Sequence, residues 1–327
     1  PVANLVFVLI RQQTRLPRYC LLFGHYVDRG AGMDGAHMHG GERRVELTIL
    51  VQLFTHFRLQ YLVASVVLLV VLAAWREPRY AIALVVATAL NAHTVLPWYF
   101  NAPSGGTGTE FKVLLANVLS SNEDHEPLFE LIEIEQPDLV FLYEVTPGWG
   151  ESLKQLSASY PHRVIEPRTG SFGIAMFARL PLTSTATIDS SPLAFPTIMA
   201  ALEVGGRSLT VIATHPMIPL GRANHEARNR QLDGIARLLQ KSSGPRLLAG
   251  DLNITMWDRQ YAALENRTWL RNVRRGFGVL PTWPTFFPPA MIPIDHLLVT
   301  DEIGVAEVRI GPGIGSDHLP LIATLTL

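Results

Sequence analysis

Six short apolar segments each carry an Asp, Glu, His or Asn at one end, and this recurrence constrains the fold more than any other feature of the sequence. Apolar runs of this length, bounded by turn residues, are typical of buried β-strands. In the clearest case, Gly250 permits a sharp turn after residues 246–249, and Asp251 and Asn253 follow on one side of an extended backbone. The polar residues at the ends of the other five segments are Asn117, Glu144, His215, Asp295 and His318.

One Gly-Asp-Leu-Asn stretch alone could be an ordinary turn, because these residue types are common in turns. Six strand ends of the same kind predict that the fold gathers carboxylates, imidazoles and amides around one polar pocket. Only two clear helices lie between the strand-like segments, so we do not expect a doubly wound sheet. The predicted strands are 111–117, 138–143, 172–178, 197–204, 208–214, 246–249, 296–300 and 319–327, and the predicted helices are 127–135 and 223–240.

The ordered motifs resemble those of the endonuclease/exonuclease/phosphatase superfamily, the metal-dependent phosphoesterases related to deoxyribonuclease I. The resemblance covers residues 110–327 and rests on Glu144, Gly250-Asp251-Leu252-Asn253, Asp295 and Ser316-Asp317-His318. It implies an α/β fold of two packed mixed β-sheets flanked by helices, an α/β sandwich of the deoxyribonuclease I type. With the apolar segments described below, it suggests a membrane-anchored, bacterial-type member.

Hydrolysis of a phosphate ester requires a water molecule in line with the leaving oxygen and neutralisation of charge on the phosphoryl group. Mg²⁺ prefers one or two carboxylates, with water and phosphate oxygens completing its coordination. Glu144 is therefore the expected main metal ligand, and the resemblance implies Asn117 beside it. We expect Mg²⁺ as the cofactor, with Mn²⁺ as the alternative.

The resemblance implies further catalytic roles. Asp251 would orient or deprotonate the attacking water, and Asn253 would hold the scissile phosphate. We expect His318 to pair with its neighbour Asp317, as a general base or as a phosphate-binding cation; the sequence leaves both roles open. Asp295 resembles the acid that supports a histidine in the same site.

His215 matches a position that acts as an acid or as a phosphate contact in the deoxyribonuclease-like and sphingomyelinase-like branches. Arg222 is a candidate phosphate clamp, as are Arg228 and Arg274, although a solvated helix face explains each arginine equally well. Trp283 could wall the pocket, against a nucleobase or a lipid. Leu119 stands where some abasic-site endonucleases have an acid, which argues against that branch.

The region 44–100 is predicted to lie in a membrane. Residues 61–75 and 80–100 carry no charge, and a spanning helix needs about 20 apolar residues. We expect helices at about 44–57, 59–75 and 80–100; the first could instead be interfacial. Trp75, Trp98 and Tyr99 suit the aromatic belts of a bilayer.

The remaining segments complete the expected organisation. Residues 1–43 form a poorly ordered or truncated N-terminal segment, residues 101–109 a glycine-rich linker that frees the next domain from the membrane, and residues 110–327 the catalytic domain. If 44–57 spans, the arginines at 43, 44, 76 and 79 lie on the cytoplasmic side. This places the catalytic domain outside the cytoplasm, at the inner (cytoplasmic) membrane if the protein is bacterial.

Composition adds two constraints. Charged residues make up only 17% of the chain and the mean hydropathy is +0.21, which is apolar for a soluble enzyme. From residue 101 onward there are 18 basic and 23 acidic residues, a formal charge of −5. Because proteins that grip nucleic acid usually have a basic face, composition does not favour nucleic acid over other phosphate esters.

Three functions follow from these expectations. The first is a membrane-anchored, Mg²⁺-dependent phosphodiesterase, nuclease-like, that acts by metal-assisted in-line attack of water. The second is a sphingomyelinase-like phosphoesterase directed to phospholipids or inositol phosphates, which the hairpin would deliver to its substrate. The third is a catalytically silent, membrane-anchored binding protein. The presence of Glu144, Asp251, Asn253, Asp317 and His318 argues against the third.

Overall fold

A computed structural model describes residues 52–76, 78–102, 106–190 and 193–327. The predicted N-terminal segment 1–43 and residues 44–51 of the first predicted helix lie outside the described residues. Two six-stranded β-sheets form the centre of the described chain. Both are mixed, since each contains one parallel pair among antiparallel pairs.

The first sheet has the strand order β11-β12-β1-β2-β4-β3, with β1 and β2 parallel. Its strands are β1 (Glu110–Asn117), β2 (Leu139–Tyr143), β3 (His162–Glu166), β4 (Ile174–Ala178), β11 (Gly304–Ile310) and β12 (Leu321–Thr326). The second sheet has the order β5-β6-β7-β8-β10-β9, with β7 and β8 parallel. Its strands are β5 (Leu182–Asp189), β6 (Pro196–Val204), β7 (Arg207–Thr214), β8 (Arg246–Asp251), β9 (Arg271–Asn272) and β10 (Asp295–Val299).

The two sheets pack face to face because alternate residues of each strand are apolar on the inner face. On β8, Leu247 and Ala249 enter the core between the sheets, whereas Leu248 faces outward. On β1, Val113 and Leu115 face the same core and Leu114 faces outward. Both outer faces are covered, so these strands are apolar on both sides. The predicted α/β sandwich is confirmed.

Helices cover the outer face of each sheet. The helices are α1 (Arg58–Ala74), α2 (Ala81–Val95), α3 (Glu126–Glu135), α4 (Pro147–Ser152), α5 (Arg222–Lys241) and α6 (Arg259–Thr268). Helices α3 and α4 pack on the first sheet through Leu128, Leu131 and Trp149. Helices α5 and α6 pack on the second sheet, through a third apolar cluster that includes Leu232 and Ile235.

Several elements were not anticipated from the sequence. They are β3, β5, β9, β11, α4 and α6. Strand β5 is an exposed edge strand with a largely polar sequence, so it lacks the alternation that marks a half-buried strand. Strand β11 has an irregular register between Val305 and Glu307, which interrupts the same alternation.

The apolar N-terminal region forms a helical hairpin. Helix α1 continues a helical segment that begins at Gln52, so the segment Gln52–Ala74 has 23 residues; Ala81–Tyr99 has 19, and both are long and apolar enough to cross a membrane. Helix α1 itself begins at Arg58, one residue before the predicted start at 59, after a 3-10 turn at Thr55–Phe57. Most of the first predicted helix lies outside the described residues, so the third span stays a prediction.

The base of the hairpin is packed onto the catalytic domain. Val95 and Trp98 are buried in the third apolar cluster, and the Trp98 carbonyl accepts hydrogen bonds from the N–H groups of Gly276 and Gly278 (3.0 and 2.7 Å). Ala102 lies so close to Gly276 that a Cβ atom at residue 276 would overlap Ala102. The described ends of the predicted linker thus lie against the domain, which differs from the expectation that residues 101–109 would free it.

Candidate active site

The polar strand ends meet at one edge of the sandwich. Asn117 ends β1 and Glu144 follows β2, and these strands are parallel neighbours in the first sheet. His215 follows β7 and Asp251 ends β8, the parallel pair of the second sheet. Asp295 begins β10, which is antiparallel to β8 and sets Asp295 directly opposite Asp251. The topology therefore brings together five of the side chains selected from the sequence.

Asn117 joins the two sheets. Its Nδ2 donates hydrogen bonds to Glu144 Oε1 (3.1 Å) and to Asp251 Oδ2 (3.0 Å), while its Oδ1 accepts one from the N–H of Leu119 (3.0 Å). The amide nitrogen, and not the oxygen, thus faces Glu144. The amide N–H groups thus bridge two carboxylates that would otherwise repel each other. The role of Asn117 as a metal ligand stays a prediction.

Glu144 occupies the more open corner of the site. Its backbone φ of +65° lies in the left-handed region, which is uncommon for a residue other than glycine and marks a sharp turn after β2. The carboxylate also accepts a hydrogen bond from the N–H of Ser120 (2.9 Å) and is 8% exposed. Asp317 lies close enough for the two charges to interact: burial raises the pKa of Asp317, and the carboxylates of Glu144 and Asp251 add to this against opposing contributions from His318 and Trp283.

This corner fits a hard divalent cation. Asp317 Oδ1 is buried and has no hydrogen-bond partner among the described residues, so one carboxylate oxygen of Asp317 is uncommitted. Carboxylate oxygens are the ligands that Mg²⁺ and Mn²⁺ prefer in proteins. Glu144 and Asp317 are therefore the residues best suited to hold such an ion.

His318 pairs with Asp295 rather than with its neighbour Asp317. His318 Nδ1 lies 2.8 Å from Asp295 Oδ2, a hydrogen-bond distance. Its Nε2 is 4.0 Å from Asp317 Oδ1, and the other oxygen of Asp317 accepts a hydrogen bond from Trp283 Nε1 (2.9 Å). The expected pairing within Asp317-His318 is thus corrected: adjacent side chains of an extended segment diverge, whereas the start of β10 lies alongside His318.

The site contains opposite charges at close range. Burial lowers the pKa of His318, but the carboxylates of Asp295 and Asp251 outweigh burial and raise it to about 10. Burial raises the pKa of Asp251, but the imidazoles of His318 and His215 hold it well below its ordinary value. At neutral pH this makes His318 an imidazolium between two carboxylates.

Asp251, Asp295 and His318 also offer three potential metal-ligand atoms within 4.8 Å of one another. We interpret this group as a hydrogen-bonded relay, because His318 Nδ1 is already engaged with Asp295 and Nε2 lies 3.7 Å from Asp251 Oδ2. The relay is more deeply buried than the corner beside Glu144. The buried group therefore suits a hydrogen-bonded relay, and the corner beside Glu144 suits a metal ion.

His215 and Asn253 line the other side of Asp251. His215 Nε2 lies 3.4 Å from Asp251 Oδ2 and 3.3 Å from Asn253 Nδ2. Asn253 has a left-handed backbone (φ +51°), and its amide also donates to the carbonyl of Pro216 (3.0 Å). Burial lowers the pKa of His215, but the charge of Asp251 raises it to a net value above the ordinary one. Both side chains thus present nitrogen atoms beside a carboxylate, an arrangement able to contact an anionic phosphate.

The two predicted substrate-binding residues have different surroundings. Trp283 lies beside the cluster, as its ring centroid is 6.3 Å from that of His318 and its Nε1 donates to Asp317. Arg222 begins α5, is exposed, and pairs with Glu226 one turn along the helix (2.8 Å). The structure therefore sets Arg222 on the solvent face of α5 and not among the clustered side chains.

Two buried arginines support the site, although the sequence suggested only phosphate clamps or solvated faces for them. Arg228 Nη1 donates to the carbonyl of Asn253 (3.1 Å), and Arg274 Nη1 donates to the carbonyl of Asp295 (2.5 Å). Both guanidinium groups are inaccessible to solvent, and burial lowers the pKa of each to about 10. A signal existed for Arg228, which lies one turn before Leu232 on the apolar stripe of α5.

Comparison with known proteins agrees with this geometry. A profile of the Endonuclease/Exonuclease/phosphatase family matches residues 114–318. TDP2 of D. rerio, complexed with a single-strand DNA product, is 16% identical, with a TM-score of 0.58 over 67% of this chain and 99% of that chain. The human nocturnin catalytic domain with a bound sulfate anion is 19% identical, with a TM-score of 0.57 over 67% of this chain and 93% of that chain. No curated protein matches the chain.

A bacterial structure is equally similar. An endonuclease/exonuclease/phosphatase family protein from Bacteroides thetaiotaomicron is 16% identical, with a TM-score of 0.58 over 68% of this chain and 99% of that chain. At these identities the likeness to solved structures shows the fold. The profile match extends from β1 to His318 and so includes every strand end that contributes to the cluster.

Proposed function

Because the chain belongs to the endonuclease/exonuclease/phosphatase family, whose members hydrolyse phosphate esters, we propose that it is a membrane-anchored phosphodiesterase that uses Mg²⁺, with Mn²⁺ as the alternative. The observation that carries the proposal is the buried hydrogen-bonded network that links Glu144, Asn117 and Asp251 across both sheets. A structural role alone would not require carboxylates and imidazoles from separate strands to be buried together, since buried charges are costly.

In the proposed mechanism, Glu144 and Asp317 would hold the divalent ion. The ion, when bound, neutralises negative charge on the phosphoryl oxygens. Asp251 orients the attacking water and accepts its proton; its Oδ1 is positioned by the N–H of Asn253 (3.1 Å). Because its pKa is held low, Asp251 is ionised at neutral pH and can accept the hydrogen bond that orients the water.

The nitrogen donors contact the phosphate. Asn253 and His215 present their side chains on one side of Asp251, and His318 presents Nε2 on another. Asp295, bonded to Nδ1, fixes the orientation of the His318 ring, so that Nε2 is the nitrogen directed at Asp251 and Asn117. We assign His318 the role of a phosphate-binding donor on this geometry. Trp283 walls the pocket beside it.

The hairpin is proposed to anchor the enzyme in the membrane. Both helical segments suit a bilayer by length and composition, and few of their residues are buried inside the protein (6% and 11% of the most apolar window of each). Arg76 and Arg79 form the tip between the helices. We propose that this tip lies in the cytoplasm and that the catalytic domain lies outside it, the arrangement expected from the sequence. Labelling of a cysteine introduced at Tyr80 in intact cells tests this: protection from an impermeant reagent is expected, and labelling would reverse the topology.

The chemical proposal is tested with the full chain purified in detergent. Hydrolysis of bis(p-nitrophenyl) phosphate is measured with Mg²⁺, with EDTA, and in two variants. Glu144→Gln removes the proposed ligand charge, and Glu133→Gln is its control on the exposed surface of α3. We expect Mg²⁺-dependent activity in the wild type and in E133Q, and its loss in E144Q and in EDTA. Full activity in EDTA, or in E144Q, would overturn the proposed role of the metal site.

A further inference from the structure

The base of the hairpin is continuous with the walls of the active site. His56 Nδ1 lies 2.8 Å from the hydroxyl of Thr255, two residues beyond Asn253. Gln60 donates from its amide to the carbonyl of Met291 (2.7 Å). Ile292, the next residue, pairs with Trp283, whose indole contacts Asp317. Two short paths therefore connect the helical segment Gln52–Ala74 to the site, one through Thr255 and one through Met291.

These paths are short. Two residues of an extended chain reach about 7 Å, so the backbone of Asn253 lies within about 7 Å of Thr255. The third contact to this region comes from Trp257 Nε1, which donates to the carbonyl of Thr94 in α2 (3.3 Å). The segment Gln52–Ala74 thus contacts Thr255, and α2 contacts the Trp257 indole. The site lies beside the hairpin base and not at the remote side of the domain.

The hairpin projects too little beyond the domain to cross a bilayer alone. Contacts with the domain extend up to Leu62 in α1 and begin again at Thr94 in α2. The free parts, residues 63–75 and 80–93, are each about 20 Å long at 1.5 Å per residue. The hydrocarbon core is about 30 Å thick. If the domain stayed in water, the bilayer would have to thin by about 10 Å, which costs several kcal/mol at fractions of a kcal/mol per Å.

A hairpin whose charged tip stopped inside the hydrocarbon would also be unfavourable. Arg76 and Arg79 would then lie inside the hydrocarbon, where each arginine costs about 3 kcal/mol. The shortfall decreases when the docked base of the hairpin also enters the membrane, together with the flank of the domain around Thr255 and Met291. Arg58, near the lower end of this base, can extend its side chain to the headgroups. The aromatic side chains at this level suit the interface: Tyr99 and Phe100 are exposed.

One exposed apolar side chain lies on a loop between the site and the hairpin base. Phe286 is 48% exposed and lies on the loop between Trp283 and Met291, the loop that connects the pocket to Gln60. On the same loop, the N–H of Thr285 donates to the carbonyl of Asp317 (2.9 Å), so this segment is fixed relative to the site. An exposed phenylalanine beside a membrane-docked helix suits contact with acyl chains or with the interfacial layer.

We propose that the pocket opens at the depth of the lipid headgroups and that the substrate is a phosphodiester lipid of the same bilayer. The formal charge of −5 from residue 101 onward agrees with this, since a nucleic acid polyanion would gain little from it. The substrate assignment rests on the proposed phosphodiesterase function. Water adds to the phosphorus, one P–O ester bond breaks, and the leaving oxygen takes a proton, so that a phosphate monoester and an alcohol form.

The substrate test uses the full chain in nanodiscs of phosphatidylethanolamine and phosphatidylglycerol with Mg²⁺. Three compounds are compared: the disc lipids, water-soluble bis(p-nitrophenyl) phosphate, and a single-stranded oligonucleotide. Hydrolysis of the lipid and of bis(p-nitrophenyl) phosphate, but not of the oligonucleotide, is expected. Hydrolysis of the oligonucleotide and the soluble diester with intact lipid would overturn the lipid assignment and leave the proposed function standing. Failure on all three compounds would overturn both.

A matched pair of variants tests whether Phe286 contacts the membrane. Phe286→Asp places a charge at the proposed lipid contact, and Ile134→Asp places one at an exposed apolar residue (77% exposed) of α3, on the outer side of the opposite sheet. We expect F286D to lower lipid hydrolysis roughly tenfold, from loss of one aromatic contact with the membrane, without changing hydrolysis of the soluble diester. I134D should change neither. Equal lipid hydrolysis by F286D and wild type would contradict the proposed orientation.

Depth is measured independently of activity. Spin labels are attached at Phe286→Cys or Ile134→Cys after Cys20, the one native cysteine, is replaced by serine. A label at residue 286 should relax with lipid-soluble oxygen more than with a water-soluble nickel chelate, and a label at residue 134 should show the reverse. Equal access of the nickel chelate to both labels would place the pocket away from the membrane and refute the inference.

Discussion

Replacement of Asp295 by asparagine tests which carboxylate orients His318. The Asp295→Asn substitution would keep the size of the side chain and an acceptor oxygen for His318 Nδ1, but it would remove the negative charge 2.8 Å away. A hydrogen bond between charged groups contributes about 1.5–3 kcal/mol, against about 0.5–1.5 kcal/mol for a neutral one. If the interaction acts in the transition state, the difference of about 1–2 kcal/mol predicts a kcat lower by about 5- to 30-fold.

The matched control is Asp317→Asn. Asp317 Oδ1 is 4.0 Å from His318 Nε2, and an asparagine oxygen can still accept the hydrogen bond of Trp283. Because Asp317 faces the metal corner, we expect D317N to raise the Mg²⁺ concentration needed for half-maximal activity and to lower kcat less than D295N at saturating Mg²⁺. Both are assayed on bis(p-nitrophenyl) phosphate with the full chain in detergent, with circular dichroism as the check on folding. The assignment fails if D295N keeps the wild-type kcat while D317N loses it at saturating Mg²⁺.

Three further predictions concern the support of the site. Trp98→Ala should lower the free energy of unfolding by about 3–5 kcal/mol, because Trp98 is 8% exposed. The control Trp269→Ala, at a residue 78% exposed, should change it little, and equal free energies of unfolding for the two variants would refute the docking of the hairpin base. Burial and the charge of Arg274 lower the pKa of His296 to about 3, so acid should destabilise the fold by about 1.4 kcal/mol per pH unit below about 6.5, where only the unfolded state binds the proton. The free energy of unfolding of the His296→Gln variant, measured between pH 7.5 and 5, should lack this pH dependence. The same slope against pH as in the wild type would disprove the prediction. Arg228→Met should reduce kcat/KM roughly tenfold through loss of the donor to the Asn253 carbonyl; unchanged kinetics would remove Arg228 from the support of the site.

The central strands could be predicted because their sequences are apolar on both faces and end abruptly in polar residues. Strands β1, β2, β7 and β8 are all of this kind, and the structure has them within one or two residues of the predicted bounds. Strand β5 could not be predicted in this way, because an edge strand exposes most of its side chains and carries no burial pattern. Strand order and register depend on pairings distant in sequence, which a local pattern does not contain.

The convergence of the site followed from the strand ends, but its internal pairing did not. Asp295 and His318 are 23 residues apart and come from different sheets. They meet because β10 begins beside the end of β8 and β12 begins beside the end of β1, so sequence proximity favoured Asp317 instead. The orientation of the Asn117 amide depends on the carboxylate of the opposite sheet. The catalytic and metal-binding roles of these residues stay predictions until they are measured.

The contact between the hairpin and the domain was also beyond the reach of the sequence. Hydropathy marked residues 61–75 and 80–100 as apolar, but it does not distinguish a side chain that meets lipid from one that packs against protein. Trp98 was expected in an aromatic belt, and it is instead buried against the domain, with the guanidinium of Arg275 5.3 Å from its ring centroid. The glycines at 276 and 278 that admit this contact carry no hydrophobic signal.

Anomalous diffraction from crystals of the full chain soaked in Mn²⁺ tests the central claim most directly, because it locates the ion without reference to activity. The account predicts a manganese peak bound to the carboxylate of Glu144 in the wild type and no peak there in Glu144→Gln. A Mn²⁺-active enzyme whose manganese peak lies elsewhere, with Glu144 uncoordinated, would contradict it.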